Sequence, residues 1–148
     1  MQQFQKILAT QSELAPLVLR IVAGIIFAAY GAQKLFAWFG GYGLEGTGQF
    51  FDSIGLSPGY YLAMLAGSAE FFGGLALIVG VLVRPAALAL TFTMIIAIVT
   101  VHLENGLFMA NNGYAFALTL LAMSFALVFT GAGKLGVDGW LNERLSSL

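Results

Sequence analysis

The sequence predicts an all-α polytopic membrane protein, an antiparallel bundle of four transmembrane helices with a glycine-rich outer loop. Of its 148 residues, 59% are apolar and only 9% are charged, whereas soluble domains are roughly 45–50% apolar and about 25% charged. The chain also contains four mostly apolar runs near the length of about 20 residues that crosses a bilayer. This composition excludes a soluble enzyme, and a net charge of −1 provides no basic face for nucleic acid.

The four runs predict one transmembrane domain over residues 1–148, with spans at about 17–38, 60–83, 85–103 and 113–131. The first span contains Arg20 and Lys34, the second contains Glu70, and the third ends with His102. The fourth span is uncharged. Such intramembrane charges are costly and are retained when they are paired or functional.

Two shorter segments beside the spans have apolar residues at helical spacing. We expect them to form interfacial helices rather than a signal peptide, since residues 1–13 are polar and Arg20 interrupts the following apolar run. Their apolar residues are Phe4, Ile7 and Leu8 near the amino terminus, and Trp140, Leu141, Leu145 and Leu148 in the tail.

Basic residues predict how the chain is oriented. If the four spans alternate in direction, Lys6, Arg84, Lys134 and Arg144 all fall on one side of the membrane. The loops on the other side, 39–59 and 104–112, contain no Lys or Arg. Because short basic loops remain cytoplasmic, both termini are predicted to be cytoplasmic.

The long loop 39–59 carries seven glycines. Thr47 is a candidate cap for a short helix that continues through Ile54, and Ser57-Pro58 is a candidate start for the second span. We expect this loop to fold over the outer mouth of the bundle, either as a packing lid or as a gate.

Small residues predict which helix faces meet, because lipid provides no hydrophobic drive for helix association. In both of the first two spans the charged residues share a face with these small residues, so the charges are expected to point into the bundle. The first stripe is Arg20, Gly24, Phe27, Gly31, Lys34 and Trp38, and the second is Ala63, Gly67, Glu70, Gly74 and Leu77. Arg20, Gly24 and Gly31 are predicted to be structural, with Arg20 reaching lipid head groups, Glu13 or Asp138.

The remaining polar residues predict a pocket in the outer third of the bundle. At about 1.5 Å per residue, Lys34 lies roughly 6 Å and Glu70 roughly 15 Å below the outer boundary, so the two side chains can pair. The candidate ligand-binding residues are Lys34, Glu70, His102, Gln33 and Tyr114. A pair that only fixes helix register, and a capped interfacial His102, are the alternative interpretations.

The absent residue types limit the chemistry of this pocket. With no cysteine and a single histidine, the chain has no disulfide, cysteine-ligated metal site or bis-histidine haem of its own. No metal site is predicted. A role in redox chemistry therefore requires a mobile carrier or the cofactor of a partner.

Several motifs in this order resemble the DoxX family over about residues 17–140. They are Leu19-Arg20-Ile21-Val22-Ala23-Gly24 and Tyr30-Gly31-Ala32-Gln33-Lys34-Leu35-Phe36; Gly43-Leu44-Glu45-Gly46-Thr47 with Phe50-Phe51; Ala69-Glu70 with Gly73-Gly74; His102, Asn105-Gly106 and Asn112-Gly113-Tyr114; and Gly131-Ala132-Gly133-Lys134 with Asp138. Ala115 departs from the family pattern, since many members have Glu there, and this removes an acid from the outer cluster.

The resemblance implies a small bacterial inner-membrane protein with a four-helix bundle. Family members are associated with oxidoreductase systems, including a thiosulfate:quinone oxidoreductase, and with sulfur-handling partner proteins. Arg20, Lys34, Glu70 and His102 occupy the family's polar positions. The resemblance does not decide whether the chain is itself an enzyme.

Three functions remain open at this stage. The first is a membrane subunit of a redox system that binds quinone near Lys34, Glu70 and His102. The second is a non-catalytic ligand binder or a carrier, which would need a homodimer because no inverted repeat is visible. The third is a membrane scaffold that anchors partner proteins.

Overall fold

The computed structural model of the protein describes residues 13–147, and within that range every regular element is helical. The predictions for Lys6, for the amino-terminal interfacial helix and for Leu148 lie outside these residues. The main helices are α1 (Ala15–Phe36), α2 (Gly43–Ser53), α3 (Gly59–Val79), α4 (Val83–Ala97), α5 (Ala115–Thr130) and α6 (Val137–Ser146). Short 3-10 turns occupy Trp38–Gly40, Leu103–Asn105 and Met109–Asn111.

Three of the four predicted spans are long and apolar enough to cross a membrane, namely Ala15–Phe36, Gly59–Val79 and Val83–Asn105. The third includes α4 and the π-helical turn Ile98–His102 that continues it. The fourth predicted span corresponds to α5, which is a shorter apolar helix of 16 residues. The described part of the chain is therefore a multi-helix membrane protein.

Glycines bring α1 and α3 into close contact. A Cβ atom built on Gly24 would lie 2.7 Å from the carbonyl oxygen of Gly74, and one on Gly74 would lie 2.5 Å from the backbone nitrogen of Ala28. Gly31 is equally tight against the backbone of Phe71. The predicted small-residue stripes thus form the α1–α3 interface, as packing between membrane helices favours.

The α1 stripe ends earlier than expected. Trp38 is exposed rather than inward-facing, because α1 stops at Phe36 and Ala37 takes a left-handed conformation with φ of 58°. Helical spacing therefore no longer applies at Trp38, which instead stacks against Phe36 with ring centroids 4.9 Å apart.

Helices α4 and α5 are joined by a buried polar contact. The Thr91 hydroxyl donates to the Ser124 hydroxyl at 3.1 Å, and Ser124 in turn donates to the carbonyl oxygen of Leu120 at 2.9 Å. Leu90 and Leu127 are fully buried in the same apolar core. Such hydroxyl contacts add a modest stabilisation between membrane helices, with a measured mean of about 0.6 kcal/mol.

The glycine-rich segment differs in detail from the prediction. Helix α2 begins at Gly43 rather than at Thr47, which is buried inside the helix and caps nothing. Helix α3 begins at Gly59, and no Ser57 cap is formed. Instead, the Asp52 carboxylate accepts a hydrogen bond from the Gly59 backbone N–H at 2.9 Å. A carboxylate at a helix amino terminus satisfies a free N–H there and complements the helix dipole.

Arg20 lies at the opposite end of the structure and does not snorkel as predicted. Its side chain is buried and donates to the carbonyl oxygens of Leu77 and Leu135, each at 3.1 Å. The carbonyls at the end of a helix have no partners within that helix, so an arginine fork can satisfy them. Glu13 does not meet Arg20, because it pairs with Lys134 at 2.7 Å.

Asp138, at the start of α6, holds the same end together. Its two carboxylate oxygens accept hydrogen bonds from the backbone N–H groups of Leu82 and Val83, both at 2.8 Å. Its own N–H donates to the Gly80 carbonyl at 2.9 Å. Asp138 therefore caps α4 from a distant part of the chain and docks α6 onto the α3–α4 turn.

Candidate functional site

A large cavity lies between α1, α3, α4 and α5 and is covered at one end by the segment 40–56. Its volume is about 1060 Å³, just above the range of about 300–1,000 Å³ that is usual for small-molecule sites. The walls are mainly apolar and aromatic. Four of the five predicted ligand-binding residues line it, namely Gln33, Lys34, Glu70 and His102.

Lys34 and Glu70 form an ion pair on the cavity wall. The Lys34 Nζ atom donates to Glu70 Oε2 at 2.6 Å, as the depths estimated from the sequence had predicted. The two side chains are unequally buried, since Glu70 is 4% exposed and Lys34 is 23% exposed. Lys34 is therefore the member of the pair that presents its charge to the cavity.

The Tyr30 ring lies beside the Lys34 ammonium. Nζ lies 5.7 Å from the centroid of the Tyr30 ring, within the range of a cation–π contact. The Tyr30 ring also packs against Phe116 of α5, with centroids 5.7 Å apart. The ammonium thus has one carboxylate partner, one aromatic face and further N–H donors that point away from Glu70.

His102 lines the cavity from the π-helical turn that follows α4. Its Nδ1 atom lies 2.9 Å from the carbonyl oxygen of Asn112. A carbonyl only accepts, so Nδ1 carries the proton and, in the neutral ring, Nε2 keeps its lone pair. This arrangement leaves Nε2 as the ring atom that can accept a hydrogen bond from a ligand.

Gln33 lines the cavity, whereas Tyr114 does not. The Gln33 amide donates to the Phe39 carbonyl at 3.1 Å, so its oxygen is the free acceptor at the cavity. Tyr114 precedes α5 and is not among the lining residues, so it is the one predicted ligand-binding residue that the structure places outside the cavity wall. The helix begins one residue later, and the Tyr114 N–H donates to the Gly106 carbonyl at 2.9 Å within the connecting loop.

The predicted structural residues lie away from the chemistry of the cavity. Arg20 lies at the other end of α1, where it donates to the Leu77 carbonyl oxygen of α3. Gly24 and Gly31 allow the close contact between α1 and α3. None of the three lines the cavity. Their placement agrees with a role in packing.

Several lining residues had no signal in the sequence. Thr47, Phe50 and Phe51 belong to α2, which covers one end, and Phe92 and Thr93 belong to α4. Apolar residues that line a cavity look like lipid-facing ones when only the sequence is read. Thr47 and the Phe50-Phe51 pair are the exceptions, since they lie in a motif that resembles the DoxX family.

The covering helix α2 is held at its carboxyl end by Asp52. The Ser57 hydroxyl donates to Asp52 Oδ1 at 2.6 Å, and the Gly59 N–H donates to the same oxygen. These two hydrogen bonds stabilise the ionised carboxylate and lower the pKa of Asp52 below its ordinary value. The attachment of α2 to the start of α3 therefore depends on a charged group at the surface.

The described residues around the cavity do not provide a set of metal ligands. Among residues 13–147, no three His, Asp or Glu side chains come close enough together to hold a metal ion. The polar groups that line the cavity are a cation paired with a carboxylate, an imidazole, an amide and the hydroxyl-bearing side chains of two tyrosines and three threonines.

Comparison with known proteins is consistent with a membrane role. The model of the DoxX family matches residues 15–103. The protein named "Putative oxidoreductase CatD" of Bacillus subtilis (strain 168) is 36% identical over 126 residues, covering 85% of this chain and 86% of its own length. "Inner membrane protein YqjF" of Escherichia coli (strain K12) is 32% identical over 135 residues, covering 89% and 95%.

A more distant relative and the solved structures complete the comparison. "Uncharacterized membrane protein Rv3486" of Mycobacterium tuberculosis (strain ATCC 25618 / H37Rv) is 28% identical over 153 residues, covering 96% of this chain and 90% of its own length. No solved structure matches the chain.

Proposed function

We propose that this chain, which belongs to the DoxX family of membrane proteins, binds a quinone or a similar small amphipathic ligand in the cavity beside Lys34 and Glu70. One observation carries the proposal: a buried ion pair lies on the wall of a mostly apolar cavity of about 1060 Å³. An intramembrane charge is costly, and here it sits beside a space large enough for a ligand.

The residues present fit a quinone head group. A quinone ring is flat and apolar, with carbonyl oxygens that accept hydrogen bonds, and the cavity combines aromatic walls with the donor groups of Lys34. Only one hydrogen bond of the Lys34 ammonium goes to Glu70, so further N–H groups are available to a carbonyl oxygen. The bound quinone would supply the electron-transfer chemistry that the side chains of the chain lack.

Each polar residue then has a distinct task. Lys34 donates to an oxygen of the ligand, and Glu70 balances and orients the Lys34 ammonium from its buried side. His102 accepts a hydrogen bond through Nε2, because Nδ1 is held by the Asn112 carbonyl. A reduced ligand bearing a hydroxyl group would make that contact, so His102 is the residue suited to receive a proton from it.

We also propose the setting in which this binding occurs. The link between α3 and α4 is only three residues long, from Gly80 to Leu82, which favours antiparallel neighbours and an antiparallel four-helix bundle. The name of the relative YqjF, an inner membrane protein, supports a location in the bacterial inner membrane. A fluorescent-protein fusion at the carboxyl terminus is expected to fold and fluoresce, as it does when that terminus is cytoplasmic. A fusion that is exported and dark would contradict the predicted orientation.

In this setting the chain is a membrane subunit of an oxidoreductase-linked system, with redox or sulfur-metabolism proteins as partners. The name of the relative CatD, which describes an oxidoreductase, supports this association with redox chemistry. The alternative function is a ligand binder, carrier or scaffold without catalysis, in which the ion pair has a purely structural role. Glu70 is buried in the same α3 face that packs against α1, so the pair would also serve to fix helix register.

The test is the quinone content of the purified protein. Protein extracted from membranes in a mild detergent is expected to retain quinone in its lipid extract at near one molecule per chain. Lys34→Met and Glu70→Gln are expected to lose it. Lys134→Met is the matched control, because it removes a lysine–carboxylate pair of similar length, 2.7 Å, whose side chains are 65% and 71% exposed.

The double variant Lys34→Met/Glu70→Met distinguishes ligand binding by the ion pair from a role that only fixes helix register. A folded double variant that no longer retains quinone supports ligand binding, because both charges have been removed together and no single charge is left unpaired. A folded double variant that retains quinone at the wild-type level would show that the pair only fixes register.

A further inference from the structure

The cavity walls on α3 and α4 reach the outer surface of the protein. Its lining residues on α3 include Leu62, Leu65 and Ala69, and those on α4 include Ala89 and Phe92. The α3 residues recur at steps of three and four and the two α4 residues are three apart, so each set lies on one face of its helix. The two faces look toward each other across the cavity.

Some of these side chains are also exposed to the surroundings. Leu65 is 64% exposed and Phe92 is 63% exposed, although both line the cavity. A side chain can do both only at the rim of an opening. The rim is therefore a gap between α3 and α4, and it lies within the two segments that are long and apolar enough to cross the membrane.

The packing of α3 against α4 shows where the gap begins. Near their short connection the helices are close, since a Cβ atom on Gly73 would lie 3.2 Å from the Leu90 side chain. Further from the connection, Leu65 and Phe92 line the cavity instead. The gap thus opens toward the end of the bundle that holds Lys34 and His102.

The other route into the cavity passes α2, where Tyr42, which precedes this helix, and Phe50 line the cavity and are 85% and 45% exposed. At that end of the bundle Thr47 and Phe51 of α2 line the cavity, and Asp52 ties α2 to the start of α3. A ligand coming from water would enter at this second rim, beside α2. A ligand coming from the bilayer would meet only apolar side chains and a threonine, Thr93, before it reached the ion pair.

We infer that the ligand enters sideways from the bilayer through the gap between α3 and α4, and that it carries a long apolar tail which stays in this gap when the head group is bound. This inference rests on the proposed function and assigns the chemical class of the ligand as an isoprenoid-tailed quinone. The rim carries no charged side chain to repel such a tail, and the small side chains of Ala69 and Ala89 leave room for it.

The test compares two ligands that share one ring, menaquinone with four isoprene units and its tailless analogue menadione. Each is titrated into nanodisc-embedded protein, with tryptophan fluorescence as the readout. Ala89→Phe is expected to weaken binding of the tailed ligand by about tenfold or more, as overfilling a packed site does. Binding of the tailless ligand is expected to change less than about twofold.

Ala122→Phe is the matched control, because Ala122 is an exposed alanine of α5 that does not line the cavity. It should change neither affinity. If Ala89→Phe weakens both ligands equally, or neither, the tail does not occupy the gap and the inference is overturned while the proposed function stands. If neither ligand binds the wild-type protein, the proposed function fails and this inference fails with it.

A second measurement does not depend on the Ala89 variant folding. Wild-type protein is illuminated with a menaquinone analogue whose tail carries a diazirine, and the labelled peptides are identified by mass spectrometry. Labels are expected around Leu65 and Phe92, and excess unlabelled menaquinone should suppress them. Labels spread evenly over the lipid-facing sides of all helices, without suppression, would overturn the inference.

Discussion

The unequal burial of Lys34 and Glu70 predicts an asymmetric response to mutation. Lys34→Ala leaves the Glu70 carboxylate, which is 4% exposed, without its partner. A buried charge left in this way costs about 3–5 kcal/mol of stability. Glu70→Ala leaves Lys34, which is 23% exposed and has a long flexible chain that can carry its ammonium toward the cavity. We therefore expect a smaller loss for Glu70→Ala than for Lys34→Ala.

Removing both groups tests whether they are coupled. The Lys34→Ala/Glu70→Ala variant leaves no buried charge, whereas Lys34→Ala alone leaves the Glu70 carboxylate unpaired. We expect it to be more stable than Lys34→Ala alone. The assay is the free energy of unfolding in mixed micelles at a single pH, measured for the wild type, both single variants and the double variant.

The exposed pair of Lys134 and Glu13 gives the control for this cycle. Both side chains are largely in solvent, so the same alanine substitutions there should have little effect and little coupling. Losses at Lys34 and Glu70 that simply add would refute the reasoning, because side chains in contact show an interaction energy that distant ones lack.

Three further predictions concern packing, capping and pH. Gly24→Ala is expected to destabilise the protein by about 1–3 kcal/mol, because the new methyl group would lie 2.7 Å from the Gly74 carbonyl oxygen. Thermal unfolding of the variant and the wild type measures this loss of stability. Asp138→Ala removes the cap of α4 and is expected to cost about 1–2 kcal/mol and to speed hydrogen exchange in the first turn of α4, whereas unchanged exchange would contradict the cap. The lowered pKa of Asp52 contributes stability that is complete above the unfolded pKa of about 3.9 and is lost as the pH falls through the lower folded value. Exchange protection in α2, corrected for intrinsic rates, should therefore fall below about pH 4 in the wild type and in the control Glu45→Gln, and should show no such step in Asp52→Asn.

The sequence predicted the features that depend on helical spacing and on the cost of buried charge. The stripes with Gly24 and Gly74 lie at the α1–α3 contact, and Lys34 reaches Glu70, because both predictions need only the rise and repeat of a helix. The end of α1 could not be predicted in this way. The left-handed Ala37 ends the stripe before Trp38, and nothing in the composition of that segment marks it.

The polar contacts to backbone groups were beyond the reach of sequence reasoning. Arg20 binds one carbonyl in the last turn of α3 and another in the connection between α5 and α6, and Asp138 caps a helix more than fifty positions away. Any helix end provides such partners, so the choice among them is made by tertiary packing. The shape of the cavity could not be predicted from the sequence either. The apolar residues that line it, such as Phe92, cannot be distinguished by residue type from those that face lipid.

The most direct test of the central claim is an experimental structure of the protein in nanodiscs made with its native membrane lipids. We predict non-protein density in the cavity, with a polar head at hydrogen-bonding distance from Lys34 Nζ, about 3 Å, and an elongated tail that leaves between Leu65 and Phe92. A cavity that holds only disordered solvent or collapsed side chains, with Lys34 bonded to Glu70 alone, would contradict the claim.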